Sequence, residues 1–105
     1  MREVLPQQLQ SWLQGKSPPV LLDVREPWEY QTCHIGGSLP IPMGSVAERF
    51  HELDPLRPTV VICHHGVRSL QVALYLERAG FVEVANLRGG VAEWARQIDP
   101  QMPHY

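Results

Sequence analysis

Thiols are scarce in this sequence: Cys33 and Cys63 are its only cysteines, and no C-x-x-C spacing joins them. That excludes a disulfide scaffold and points to a reducing, cytoplasmic compartment in which a thiol stays free. Lysine is scarcer still, with Lys16 alone against arginines spread along the chain without a run, and the formal net charge is -2. An electrostatic footprint for nucleic acid or an anionic membrane is therefore missing. If the chain handles an anion, a local site must attract it. No apolar run exceeds a few residues, which excludes a membrane-spanning helix. The opening "MREVLPQQLQSWLQ" lacks the continuous apolar stretch of a signal peptide or anchor. Repeats, linkers and low-complexity segments are absent too.

What remains is ordinary globular composition over 105 residues, 44% hydrophobic and 19% charged, enough for one domain with one core. "REVL" reads as a short strand. Leu9, Trp12 and Leu13 then fall on one helical face, stopped by Gly15. Val20 to Val24 form a buried strand ending at Asp23–Arg25, and Pro27 suits the first turn of a helix "PWEYQT". "SLPIPM" is extended, but Pro40 and Pro42 confine it to a sheet edge. "GSVAERFHEL" is expected to be one helix capped by Ser45, with Val46, Phe50 and Leu53 on its inner face. "PTVVIC" has the all-apolar character of a central parallel strand. The helix that follows is expected to bury Val72, Ala73, Leu76 and Ala79, with Gly80 as its stop. "VEVANL" supplies a further strand and "VAEWARQI" a last helix. Strands alternating with helices predict an α/β fold, a parallel sheet with helices on both faces. Residues 1–98 form the expected domain, and 99–105, "DPQMPHY", a flexible tail.

The chemistry is concentrated at two strand ends, "DVRE" and "CHHGVRS". In open parallel sheets, ligands bind beyond the carboxyl ends of the strands, so these segments should meet. The loop after Cys63 leads into a helix whose first N–H groups have no intrahelical partner. Curled around the sulfur, they and the helix dipole favour a thiolate and any anion beside it. Gly66 permits the backbone conformation such a loop needs. Arg68, a cation in the first helical turn, stands on the unfavourable side of the dipole. It either clamps a bound anion or pairs with a carboxylate, for which Asp23 is the expected partner. A cysteine at a strand end is otherwise most simply a small buried hydrophobe, but strand–Cys–loop with Gly–Arg–helix is the more specific pattern.

At these residues the chain resembles a known family. "LLDVREPWEY", "HIGGSLPIP", "VVICHHGVRS" and "LRGGVAEW" are similar, in the same order, to the motifs of single-domain rhodaneses, the thiosulfate sulfurtransferases. The likeness runs from about Val4 to Gln97. It implies a five-stranded parallel sheet. It also implies that Cys63 takes sulfane sulfur from a donor such as thiosulfate as a persulfide and passes it to cyanide or a thiol acceptor, which can be a protein. His64, His65, Gly66, Val67, Arg68 and Ser69 would form the cradle. Four residues separate Cys63 from Arg68. Phosphatases of related fold carry one more, so the shorter loop favours sulfur over phosphate or arsenate. Many family members have "CRSG" where this chain has "CHHG", which replaces a fixed positive charge at position 64 with a titratable histidine.

Other residues invite functional readings. Cys63, His64 and His65 suggest a metal, but neighbours on a tight loop diverge and no fourth ligand is spaced nearby, so neither metal nor cofactor is expected. Asp23, Arg25 and Glu29 read as a polar network bracing the loop rather than as acid–base residues. Cys33 closes a helix running toward the far sheet end, so it is not expected to resolve Cys63. Gly89–Gly90 is a strand-to-helix turn and not a nucleotide fingerprint. His34 and Trp94 read as packing residues, whereas Trp28 either lines the site or caps the core. Two functions from different classes follow: a sulfurtransferase working by double displacement, and a persulfide carrier or interaction module serving one protein partner.

Overall fold

A computed structural model of the chain describes residues 1–105. Its strands are β1 (Arg2–Val4), β2 (Val20–Asp23), β3 (Leu39–Pro40), β4 (Thr59–Ile62) and β5 (Val84–Leu87). They make one sheet in the order β1-β5-β4-β2-β3, every neighbouring pair parallel. The helices are α1 (Pro6–Leu13), α2 (Pro27–Thr32), α3 (Val46–Arg49), α4 (Val67–Arg78) and α5 (Gly90–Gln97). None is long and apolar enough to cross a membrane.

Strand alternation sorts the core into two layers. Leu21, Val60, Ile62, Ala85 and Leu87 face α1 and α5, meeting Leu9, Val91, Trp94 and Ala95. Leu22, Val61, Cys63 and Val84 face α3 and α4, meeting Val46, Val72, Ala73 and Leu76. Both faces of the central strands are thus covered, as their unbroken apolar runs require. Truncating a fully buried Leu22 or Leu76 to alanine costs about 2–5 kcal/mol. Cys33 belongs to the first layer and Cys63 to the second, so the sheet stands between the two thiols.

Three local expectations change. Residues 43–52 are not one helix: a 3-10 turn Met43–Ser45, the four-residue α3 and a second 3-10 turn Phe50–Glu52 follow one another. With Pro42 and Gly44 before it and Pro55 soon after, the stretch has too few good helix formers to propagate. Ser45 makes no side-chain cap to α3. Ala79, expected inside, is exposed, because α4 has ended and Ala79 is its cap. Within 99–105, Met102 is buried in the α1/α5 layer, and Tyr105 reaches the polar cluster at the ends of β2 and β4.

Register decides what meets what. Asp23 of β2 is opposite Ile62 of β4, so the residues leaving both strands emerge side by side. The "DVRE" and "CHHGVRS" segments therefore share the carboxyl end of the sheet.

Candidate active site

Cys63 follows the last residue of β4 and is only 1% exposed. Its sulfur accepts the Gly66 N–H at 3.0 Å, and Ser69 Oγ stands 3.2 Å away. Gly66 caps α4 in the left-handed region at φ +98°, and a Cβ there would sit 3.3 Å from Gly89 N. A side chain is thus disfavoured both by conformation and by space. The outward side of the loop is fastened to α5. Val91 N–H donates to Cys63 O at 2.9 Å, and Ala92 N–H donates to His64 O at 3.0 Å. This packing is so close that a Cβ on Gly90 would collide with both carbonyls. With its carbonyls held by α5, the loop turns an N–H toward the sulfur at the positive end of the α4 dipole.

The charges around the loop are paired. Asp23 holds Arg25 through Nε and Nη2, the latter at 2.8 Å from Oδ2, and also accepts the Arg25 backbone N–H. Arg25 Nη2 reaches Cys33 O at 2.7 Å, and Nη1 reaches the Tyr105 hydroxyl at 2.7 Å. This pair is fully buried; burial, the largest single influence, lowers the Arg25 pKa, but Asp23 and Tyr105 together outweigh it and hold the guanidinium well above its usual value. Arg68 does not pair with Asp23. It makes a bidentate bridge to Glu29 on α2, Nη1–Oε1 2.7 Å and Nη2–Oε2 2.9 Å. Asp23 is unavailable because its own neighbour two residues on has taken it. Arg68 holds the Glu29 carboxyl down at about 2, assisted by the Glu26 N–H and the Tyr105 hydroxyl against the cost of burial. Tyr105 joins the pairs, accepting from Arg25 and donating to Glu29 at 2.9 Å. Burial is the largest influence pushing its phenol up to about 12.

His64 follows the sulfur. Its Nδ1 is buried without a hydrogen-bond partner, and loss of hydration, reinforced by His65, lowers its pKa despite the pull of Glu29. The imidazole is therefore neutral at pH 7. Its ring meets Tyr105 with centroids 4.2 Å apart, and Tyr105 meets Trp28 at 5.3 Å. Trp28 thus stands at the rim, 59% exposed. His65 is exposed, as is Val67.

The loop residues expected from sequence all lie here, and Asp23, Arg25 and Glu29 brace them. Three participants escaped notice. Asn86, buried on β5, bonds Ser69, Gly66 O and Glu3. Its signal was a lone amide inside an apolar strand, which has to find partners. Glu3 and Tyr105 carried no local signal at all.

Comparison with known proteins follows the same residues. The family model described as "Rhodanese-like domain" matches residues 5–97. Thiosulfate sulfurtransferase GlpE of Coxiella burnetii is 37% identical over 87 residues, covering 82% of this chain and 81% of that protein. Probable adenylyltransferase/sulfurtransferase MoeZ of Mycobacterium tuberculosis is 35% identical over 104 residues, 97% of this chain; the chain spans only 26% of that protein's length. The crystal structure of SSP1007 from Staphylococcus saprophyticus superposes with a TM-score of 0.85 at 30% identity, covering 99% of this chain and 100% of that one. A parallel α/β sheet with a cysteine loop at its carboxyl end, matched by a family model over nearly the whole chain, places this protein in the rhodanese-like sulfurtransferase family.

Proposed function

We propose that the protein is a sulfurtransferase in which the Cys63 thiolate takes sulfane sulfur from a donor such as thiosulfate and hands it to a thiol or cyanide. In the first half-reaction Cys63 attacks the outer sulfur of the donor. The donor S–S bond breaks, its electron pair leaves with sulfite, and a Cys63 persulfide remains. In the second, the acceptor attacks the outer sulfur and Cys63 leaves as thiolate. The observation that carries this reading is the Cys63 sulfur bonded to the Gly66 N–H at the head of α4, inside a loop only four residues long before Arg68. Loop and helix-end N–H groups would stabilise the charge on the attacking thiolate and on the persulfide. Arg25 and Arg68, both consumed by carboxylates, act as braces for the loop rather than as free cations for the donor.

A protein acceptor is the second reading. Exposed Trp28 and Val67 at the rim offer apolar contact area suited to a macromolecule. The test is intact mass after incubation with thiosulfate and, separately, with an organic persulfide, comparing wild type with Cys63→Ser. Wild type is expected to gain one sulfur that cyanide removes, and the variant none. Folded, reduced wild type that gains sulfur from neither donor overturns the proposal. A loaded chain that resists cyanide but unloads to one protein selects the carrier reading.

A further inference from the structure

Asn86 lies on β5 between Glu3 of β1 and Val61 of β4, on the sheet face that carries Cys63. Its Nδ2 donates to Gly66 O at 3.1 Å and to Glu3 Oε2 at 3.0 Å. Both partners are acceptors only. Turning the amide over would bring Oδ1 against a carbonyl and a carboxylate with no proton among them. The orientation is therefore fixed, and Oδ1 faces Ser69 Oγ, to which it is hydrogen-bonded. Ser69 Oγ is also 3.2 Å from Cys63 Sγ. A hydroxyl has one proton, whereas the amide oxygen and a thiolate both require it.

We propose that Asn86 is a positioning residue that competes with Cys63 for the single proton of Ser69 and so restrains the reactivity of the sulfur. With the proton on Asn86, Ser69 turns a lone pair toward Sγ, which suits a protonated thiol. When Cys63 ionises, the hydroxyl swings to the sulfur and Asn86 Oδ1 loses its donor. When the sulfur is loaded, the inner sulfur is neutral and the proton returns to Asn86. No bond other than a hydrogen bond changes in this swing. It makes the Asn86–Ser69 contact complete in the loaded state and broken in the thiolate state, which favours taking up sulfur.

This inference rests on the reading of Cys63 as the nucleophile, and its test reads a different quantity from sulfur transfer. The rate of Cys63 alkylation by iodoacetamide, located by peptide mapping, is measured from pH 5 to 10. Other charged or titratable groups around the loop are Asp23 and Arg25 after β2, Glu29 on α2, His64 and His65 in the loop, Arg68 on α4, Tyr105 and, behind Asn86, Glu3. All are kept in the variants, so a shift reports the hydroxyl. Asn86→Leu releases the Ser69 proton to the sulfur, and alkylation below the midpoint of the profile speeds up roughly tenfold. In a Ser69→Ala chain the same substitution leaves the midpoint where it was. An unchanged or higher midpoint in Asn86→Leu, or a shift that survives without Ser69, overturns the proposal. Should the variants not fold, the unmodified chain decides. Its Asn86 side-chain carbonyl resonance is expected to titrate with the alkylation midpoint, and a resonance indifferent to that midpoint overturns the idea. Sulfur loading with an uncoupled Asn86 leaves the sulfurtransferase reading standing. Coupled alkylation without loading does the reverse.

Discussion

Glu29 and Arg68, 39 residues apart in sequence, close on each other through two parallel contacts of 2.7 and 2.9 Å. The bridge ties the third residue of α2 to the first turn of α4, and so fixes the cysteine loop against the neighbouring strand end. Because Glu29 is buried and Arg68 half-exposed, breaking the bridge strands little charge but loses charge-assisted hydrogen bonds. Glu29→Gln is expected to lose about 2 kcal/mol of stability in urea unfolding at pH 7.

The same bridge predicts an acid limb. The Glu29 pKa is depressed to about 2 in the fold, against about 4.3 for a free glutamate. The contribution is therefore fully present above pH 4.3 and is lost as pH falls toward 2. Unfolding free energies measured at pH 5, 4, 3 and 2 should converge between wild type and Glu29→Gln toward the acid end. A constant gap at every pH argues against the bridge as the cause.

Asp23 and Arg25 form a buried pair, and removing one partner leaves an uncompensated charge. Asp23→Ala is expected to cost about 3–5 kcal/mol. The double change Asp23→Leu with Arg25→Met should be less damaging than Asp23→Ala alone. Chemical denaturation of the three variants checks the order, and a double variant weaker than Asp23→Ala would contradict it.

Gly90 touches the backbone of Cys63 and His64 where any Cβ would collide. Gly90→Ala should push the loop off α5, slowing sulfur uptake by Cys63 at least tenfold. Gly44, with open space around the position a Cβ would take, serves as the control. Gly44→Ala should change neither uptake nor the melting curve appreciably.

His64 is neutral at pH 7 because burial, with His65, Arg25 and Arg68 beside it, opposes protonation more than Glu29 favours it. His64→Arg places a fixed cation beside the sulfur, and the rate of loading from thiosulfate should rise roughly threefold to tenfold at low salt. The gain should shrink as ionic strength increases. Loading from an uncharged sulfur donor provides the comparison and should show no such salt-dependent gain.

How far these features could be seen beforehand depends on how local they are. The Cys63 loop was legible because a strand, a cysteine, a glycine and a helix start within a few residues confine the backbone to few courses. The sheet was legible for the same reason, since β2, β4 and β5 are mostly apolar, each with a single polar residue, Asp23, Thr59 and Asn86. The partner of Arg68 was not. Both Asp23 and Glu29 are carboxylates of the segment that follows or ends β2, and only the short return of Arg25 onto Asp23 decides between them. The segment 43–52 looked helical by its apolar spacing, yet periodicity says nothing about whether Pro42 and Gly44 leave room to propagate a helix. Tyr105 lies beyond any pattern, because its partners Arg25 and Glu29 stand 80 and 76 residues earlier.

The sheet that separates Cys33 from Cys63 also turns the two thiols into a record of the chain's history. Each lies in the packing of a different face, so no side-chain motion within the folded domain brings the sulfurs to bonding distance. A Cys33–Cys63 disulfide therefore requires the strands to come apart first. Found in an oxidised sample, that crosslink would mark molecules that had unfolded and been trapped. Oxidation of an intact domain would instead modify each thiol separately, without joining them.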